Sequence, residues 1–228
     1  MTGPAAGSWQ RARRVLRLAV PSAGEMLLGM LVGLVNTYLV GHLGSASLTA
    51  VGLGVQWSMA SMVLFTAVGT GAPALTARMI GARDLAGANR VVGQALAIAC
   101  ACGLVASALL IAFAEPAMVL MGARDEALRQ GAVYLRIVMV ASPISAMMFV
   151  GNACMRGAGD TRTPLLVMAV VNVVNISVAW TLVEGVGPIP ALGVQGAAWG
   201  STAGRAIGGL LVVALLLKGR AGLRWRGP

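Results

Sequence analysis

Residues 18–39, LAVPSAGEMLLGMLVGLVNTYL, form an apolar run of 22 residues. At about 1.5 Å per residue, a helix of that length crosses the roughly 30 Å hydrocarbon core of a bilayer. The run nevertheless contains Glu25 and Asn36. A charged side chain at the centre of a membrane helix costs about 2.5–3.5 kcal/mol on insertion scales, and far less where it faces a wet cavity inside a bundle. Glu25 is therefore expected to face inward. Gly29, Val32 and Asn36 follow it by 4, 7 and 11 positions, which places all four on one stripe of the helix. One face of this span carries its polar groups and its glycines.

Five further apolar runs follow, over about 48–70, 91–113, 133–154, 164–183 and 194–217. Each is too long for a barrel strand and lacks the alternation such a strand needs, so each reads as a transmembrane helix. Charged residues make up 11% of the chain, hydrophobic residues 58%, and the mean hydropathy is +0.84; soluble domains carry about 25% charge. The fold class is an all-α integral membrane protein forming a single six-helix lobe over residues 1–228. The net charge of +10 comes with only 2 Tyr and 3 Phe, and the basic residues lie between apolar runs. They suit anionic lipid rather than nucleic acid.

The basic residues also orient the chain. Arg11, Arg13, Arg14, Arg17, Arg78, Arg83, Arg90, Arg156, Arg162, Lys218, Arg220, Arg224 and Arg226 fall at one set of span ends. Only Arg124, Arg129 and Arg136 fall at the other. This asymmetry of thirteen to three predicts a multi-pass cell (inner or plasma) membrane protein with both termini cytoplasmic. Trp9 and the arginines before the first run resemble a signal peptide's start, but the run is too long and no small-residue cleavage site ends it.

Gly196, Gly200, Gly204 and Gly208 recur every four residues in the sixth run, and Gly29 and Gly33 repeat the spacing in the first. A stripe without side chains lets another helix approach closely. Asn172 and Asn175 share a face of the fifth run, where their amides either bind a ligand or bond neighbouring helices. Gln56 and Arg205 are similar cases, and Arg205 either pairs with Glu25 or reaches a backbone carbonyl. His42, the single histidine, is expected in an exposed external turn without a His, Cys or carboxylate partner. The cysteines Cys100, Cys102 and Cys154 read as small core residues, no metal site is expected, and no phosphate-binding loop, nucleophile elbow or zinc motif points to an enzyme.

Four stretches together resemble the amino-terminal half of the multidrug and toxic compound extrusion (MATE) family. They are Val35-Asn36-Thr37-Tyr38-Leu39-Val40-Gly41-His42-Leu43-Gly44 with Ala50-Val51-Gly52-Leu53, then Ile80-Gly81-Ala82-Arg83-Asp84 with Ala88 and Gln94. Arg156-Gly157-Ala158-Gly159-Asp160-Thr161-Arg162-Thr163-Pro164 and Leu192-Gly193-Val194-Gln195-Gly196-Ala197-Ala198 complete the set. The resemblance implies half of a secondary antiporter that exports organic, often cationic and amphiphilic compounds in exchange for H⁺ or Na⁺, with no other cofactor.

That family has twelve helices in two lobes around a central cavity, so the resemblance implies membrane lipid, a small-molecule substrate and a second six-helix lobe as partners, the lobe being a second copy or a separate chain. Its pattern has an aspartate, part of a cation or proton site, where this chain has Asn36. Glu25 and Asn36 are accordingly the coupling candidates, and Asn172, Asn175, Gln56 and Arg205 the substrate-cavity candidates. The alternatives are a lipid-linked saccharide flippase of the same superfamily and a truncated lobe that does not transport.

Overall fold

The computed structural model of the chain describes residues 4–186, 190–219 and 223, with side chains at residue 16 and from residue 19 onward. The side chains of Trp9, Arg11, Arg13, Arg14 and Arg17, and the whole of Arg220, Arg224 and Arg226, lie outside the described residues. All regular structure among the described residues is helical: α1 Pro4–Gly41, α2 Ser45–Gly81, α3 Leu85–Ala112, α4 Ala114–Leu120, α5 Asp125–Val140, α6 Ser142–Gly157, α7 Arg162–Glu184 and α8 Val194–Leu217. Five of these, with α1 counted over Ala19–Gly41, are long and apolar enough to cross a membrane, and α5 with α6 makes a sixth if the bent pair is one span.

The straight span expected over 133–154 is broken. α5 and α6 meet at an angle of 55° around Ala141. Pro143 lies in the first turn of α6. It has no N–H to offer, and in a continuous helix its ring would press on the carbonyl of Met139, so the hydrogen-bond ladder stops and restarts.

Two of the connections share one design. In Gly81-Ala82-Arg83-Asp84 and Gly157-Ala158-Gly159-Asp160 the aspartate amide reaches back five residues, Asp84 N to Met79 O and Asp160 N to Met155 O, each at 2.9 Å. The residue before each aspartate is left-handed, Arg83 at φ 59° and Gly159 at φ 87°, as a Schellman stop requires. The aspartate side chains then cap the next helix. Asp84 accepts from Gly87 N at 2.8 Å, and Asp160 from Arg162 N and Thr163 N at 3.1 and 3.0 Å.

The most extensive helix contact is between α7 and α8. A Cβ at Gly196 would lie 2.5 Å from the carbonyl carbon of Leu182, one at Gly200 2.6 Å from the Ala179 Cβ, and one at Gly204 2.9 Å from the Val171 carbonyl oxygen. Gly208 leaves room for Val171 and Met148. The glycine stripe of α8 is therefore the surface on which α7 rests. In α1 the expectation fails, because a Cβ at Gly29 or Gly33 would meet nothing within 4 Å. α1 touches the lobe chiefly through α7. Gly24, whose Cβ would meet Leu165 of α7, lies about 180° round the helix from Gly33 at 100° per residue.

The apolar interior divides into two clusters. One joins Leu39, Val51, Leu135, Val183 and Val194; the other joins Phe65, Leu96, Val150, Val167, Val212 and Leu216. Along α2, α7 and α8, whose buried residues contribute to both, the stretch between them carries polar groups, Ser58 and Ser61, Asn172 and Asn175, and Ser201 and Arg205; Ser142 and Ser145 stand at the head of α6, ahead of its part in the second cluster. The lobe has two dry ends and a polar waist.

Candidate functional site

A cavity of about 520 Å³ opens in that waist, within the roughly 300–1,000 Å³ usual for small-molecule sites. Six methionines line it: Met26, Met59, Met62, Met139, Met148 and Met168. Unbranched thioether side chains adapt to ligands of different shape. Phe65 and Phe149 add aromatic surface, and Ser22, Ser58, Ser61, Ser142 and Ser145 add hydroxyls.

Among the described residues, three charged side chains reach the cavity: Glu25, Arg156 and Arg205. One guanidinium nitrogen of Arg156 donates to both Glu25 oxygens, at 2.8 and 2.9 Å. Both side chains are largely buried. The inward orientation of Glu25 agrees with the cost of exposing a carboxylate to lipid, but its partner is Arg156 and not Arg205. Arg156 looks like a loop residue because the apolar run ends two positions before it, whereas α6 continues to Gly157 and carries it in the last turn. Among the described residues no carboxylate oxygen lies within 4.0 Å of Arg205 and no side chain accepts a hydrogen bond from it.

The amide candidates form a different assembly. Asn36 Nδ2 and Asn175 Nδ2 both donate to Ser201 Oγ, at 3.3 and 3.2 Å, tying α1, α7 and α8 together. Asn172 Nδ2 donates within its own helix to Met168 O at 2.8 Å. The Oδ1 atoms of all three are buried without a partner. Asn36, Asn172 and Asn175 do not line the cavity. Gln56 does not either; it is exposed, because the cavity arc of α2 runs through Val55, Ser58, Met62 and Phe65, about 140° round the helix from it. Of the four residues expected in a substrate cavity, Arg205 is the one that lines this cavity.

His42 also departs from expectation. Its Nε2 lies 2.8 Å from Glu184 Oε1, because α7 packs along α1 and ends beside its last turn. His42 Nδ1 lies 3.3 Å from Tyr38 O. No group of three or more potential metal-ligating side chains occurs among the described residues.

The chain is similar in sequence and in fold to known proteins. The chain is 28% identical over 206 residues to the "Probable multidrug resistance protein NorM" of Thermotoga maritima, covering 90% of this chain and 44% of that one. It is 28% identical over 186 residues to the "FAD transporter" of Shewanella oneidensis, covering 82% of this chain and 41% of that one. The fold superimposes on a MOP superfamily transporter from Pyrococcus furiosus with a TM-score of 0.85 at 28% identity, over 93% of this chain and 46% of that one. The chain thus spans less than half the length of the curated relatives it matches. The MatE family model matches residues 21–181, most of the six-span lobe and both charged partners Glu25 and Arg156, and the chain belongs to the MatE family.

Proposed function

We propose that this lobe is one half of a secondary active exporter that moves amphiphilic organic compounds out of the cell in exchange for H⁺ or Na⁺, completed by a second six-helix lobe. The reading places it in the plasma membrane with both termini cytoplasmic. The observation that carries it is the methionine-lined cavity in the waist, with a single ion pair at its edge. Similarity to proteins named for multidrug resistance and for FAD transport supports organic cargo large enough to fill such a space.

Glu25 is the one carboxylate among the described residues that line the cavity, so it is the group to carry an exchanged proton. Ionised, it holds Arg156 and fastens α1 to α6. Protonated, it loses the attraction, and α1 is held chiefly by α7. A proton on one carboxylate is thereby linked to the freedom of one helix, which is what exchange requires. Asn36 cannot titrate, but its unpartnered Oδ1, with that of Asn175, is an oxygen ligand suited to Na⁺.

The test is dye efflux from proteoliposomes under an imposed pH or Na⁺ gradient, with the chain paired to itself or to a second lobe. Gradient-driven efflux that disappears in a well-folded Glu25→Gln protein is the expected result. Efflux at the parent's rate from that variant removes Glu25 as the coupling group. No gradient-driven efflux in any pairing favours a lobe that does not transport.

A further inference from the structure

We infer that the cavity selects compounds with an anionic head, a carboxylate or phosphate on an apolar body, and that Arg205 receives the head. This names the substrate class of the site proposed above and rests on that reading only for what happens after binding. The first observation is a charge count. Glu25 and Arg156 neutralise each other at 2.8 Å, which leaves Arg205, among the described residues, as the single uncompensated charge on the cavity wall.

Arg205 cannot reach either membrane surface by stretching. Eleven residues of α8 precede it and twelve follow, so its Cα lies about 17 Å along the axis from either end of the helix, a distance no arginine side chain spans. An ionisable side chain held at that depth faces the bundle interior or a wet cavity, and marks a place where an opposite charge is favoured. Among the described residues the pairing group is missing, and the space beside the guanidinium is the cavity.

The broken span supplies the rest of the receptor. Thr202, three residues before Arg205, donates to Ile137 O at 3.1 Å, just ahead of the break at Ala141. Gly209, four residues after Arg205, lies against Ile144, just beyond the break. α8 therefore carries Arg205 at the level where α6 begins. The first turn of a helix has a positive dipole end, and half-helices that start inside a membrane commonly point that end at an anionic group; in α6 few amides accompany it, since Pro143 has none and Ser145 N donates to Ala141 O at 2.8 Å. Here the turn also bears Ser142 Oγ and Ser145 Oγ, both buried and without a partner, on residues that line the cavity. Ser142 is 4% exposed. A guanidinium, two idle hydroxyls and a helix start meet at one level of the bilayer, and the methionines around them suit an apolar body of loose specification.

A cation fits this wall poorly. The carboxylate that would attract it is already bound to Arg156, and Arg205 would repel it. Cationic cargo, which the family resemblance implies, is thus not what the charges of this lobe favour.

The test uses two probes with one apolar body, 4-(1-pyrenyl)butyrate and 4-(1-pyrenyl)butyl-trimethylammonium, bound to the purified full chain in nonionic detergent and followed by fluorescence anisotropy. The butyrate is expected to bind at least tenfold more tightly than the ammonium. Arg205→Gln is expected to lower affinity for the butyrate about tenfold while leaving the ammonium unchanged or tighter, and Arg205→Lys to keep most of the preference. Equal binding of the two probes, tighter binding of the ammonium, or loss of butyrate binding in both variants alike overturns the inference. Butyrate preference without gradient-driven efflux sinks the exporter reading and leaves the anion site standing; efflux restricted to cations does the reverse.

Discussion

The Glu25 carboxylate and the Arg156 guanidinium join the first helix of the lobe to the last turn of α6, through one nitrogen 2.8 and 2.9 Å from the two carboxylate oxygens. They are 131 residues apart in sequence. Removing one member of a buried pair leaves a charge without its partner and costs about 3–5 kcal/mol when burial is complete. With partial exposure of both side chains, Glu25→Gln and Arg156→Gln are each expected to destabilise the lobe by about 1–3 kcal/mol. The double replacement is expected to cost less than the sum of the two. Thermal unfolding in detergent of the four proteins measures the coupling, and strictly additive losses would show the pair to be idle.

Glycines at the α7–α8 contact and in α1 should respond in opposite ways. Gly200→Ala puts a methyl 2.6 Å from the Ala179 Cβ and 2.8 Å from its backbone, an overpacking expected to cost roughly 1–3 kcal/mol. Gly29→Ala enters open space and gains helix propensity, so stability is expected to stay level or rise by roughly 0.5–1 kcal/mol. Melting temperatures of the two variants decide this, and a loss of equal size at both positions would refute it.

Ser201→Ala removes the one acceptor shared by the amides of Asn36 and Asn175. A buried amide left without a partner costs about 1–3 kcal/mol, which applies to Asn175, and the part-buried Asn36 adds less. Ser58→Ala removes only a bond within α2, from Ser58 Oγ to Gly54 O at 2.9 Å, and is expected to cost less. Chemical or thermal denaturation compares the two, and a more stable Ser201→Ala protein would count against the node.

The orientation inferred from the basic residues can be read by labelling in a background free of Cys100, Cys102 and Cys154. Ala82→Cys and Arg162→Cys, both at exposed positions on the side expected to be cytoplasmic, should resist an impermeant thiol reagent in intact cells. Arg124→Cys, exposed on the opposite side, should react. The neighbouring Ala123 is 4% exposed and would stay silent in either orientation. Labelling at Ala82 with none at Arg124 inverts the topology.

The spans were legible because bilayer thickness sets a length that apolar runs must match, and the α8 glycines were legible because their period of four is a geometric statement. The break in the fourth span was not, although Pro143 marks it, because the apolar run continues through the proline on both sides. Glu25 could be placed inside the lobe from cost alone. Its partner could not, since hydropathy says that a residue is covered and not by what. Gln56 fails for a related reason: polarity raises the cost of facing lipid without dictating a direction, and an uncharged amide tolerates the outer face of α2 that Glu25 would not.

The division of the lobe into two dry ends and a polar waist bears on how such a chain diversifies. Most of the cavity wall, including Met59, Met62, Ser145, Met168 and Arg205, belongs to neither apolar cluster. At those five positions, unlike at Glu25 and Arg156, a substitution changes the shape and chemistry of the cavity without removing a member of either apolar cluster. The inner surface of such a lobe is therefore open to change at positions that its folding depends on little.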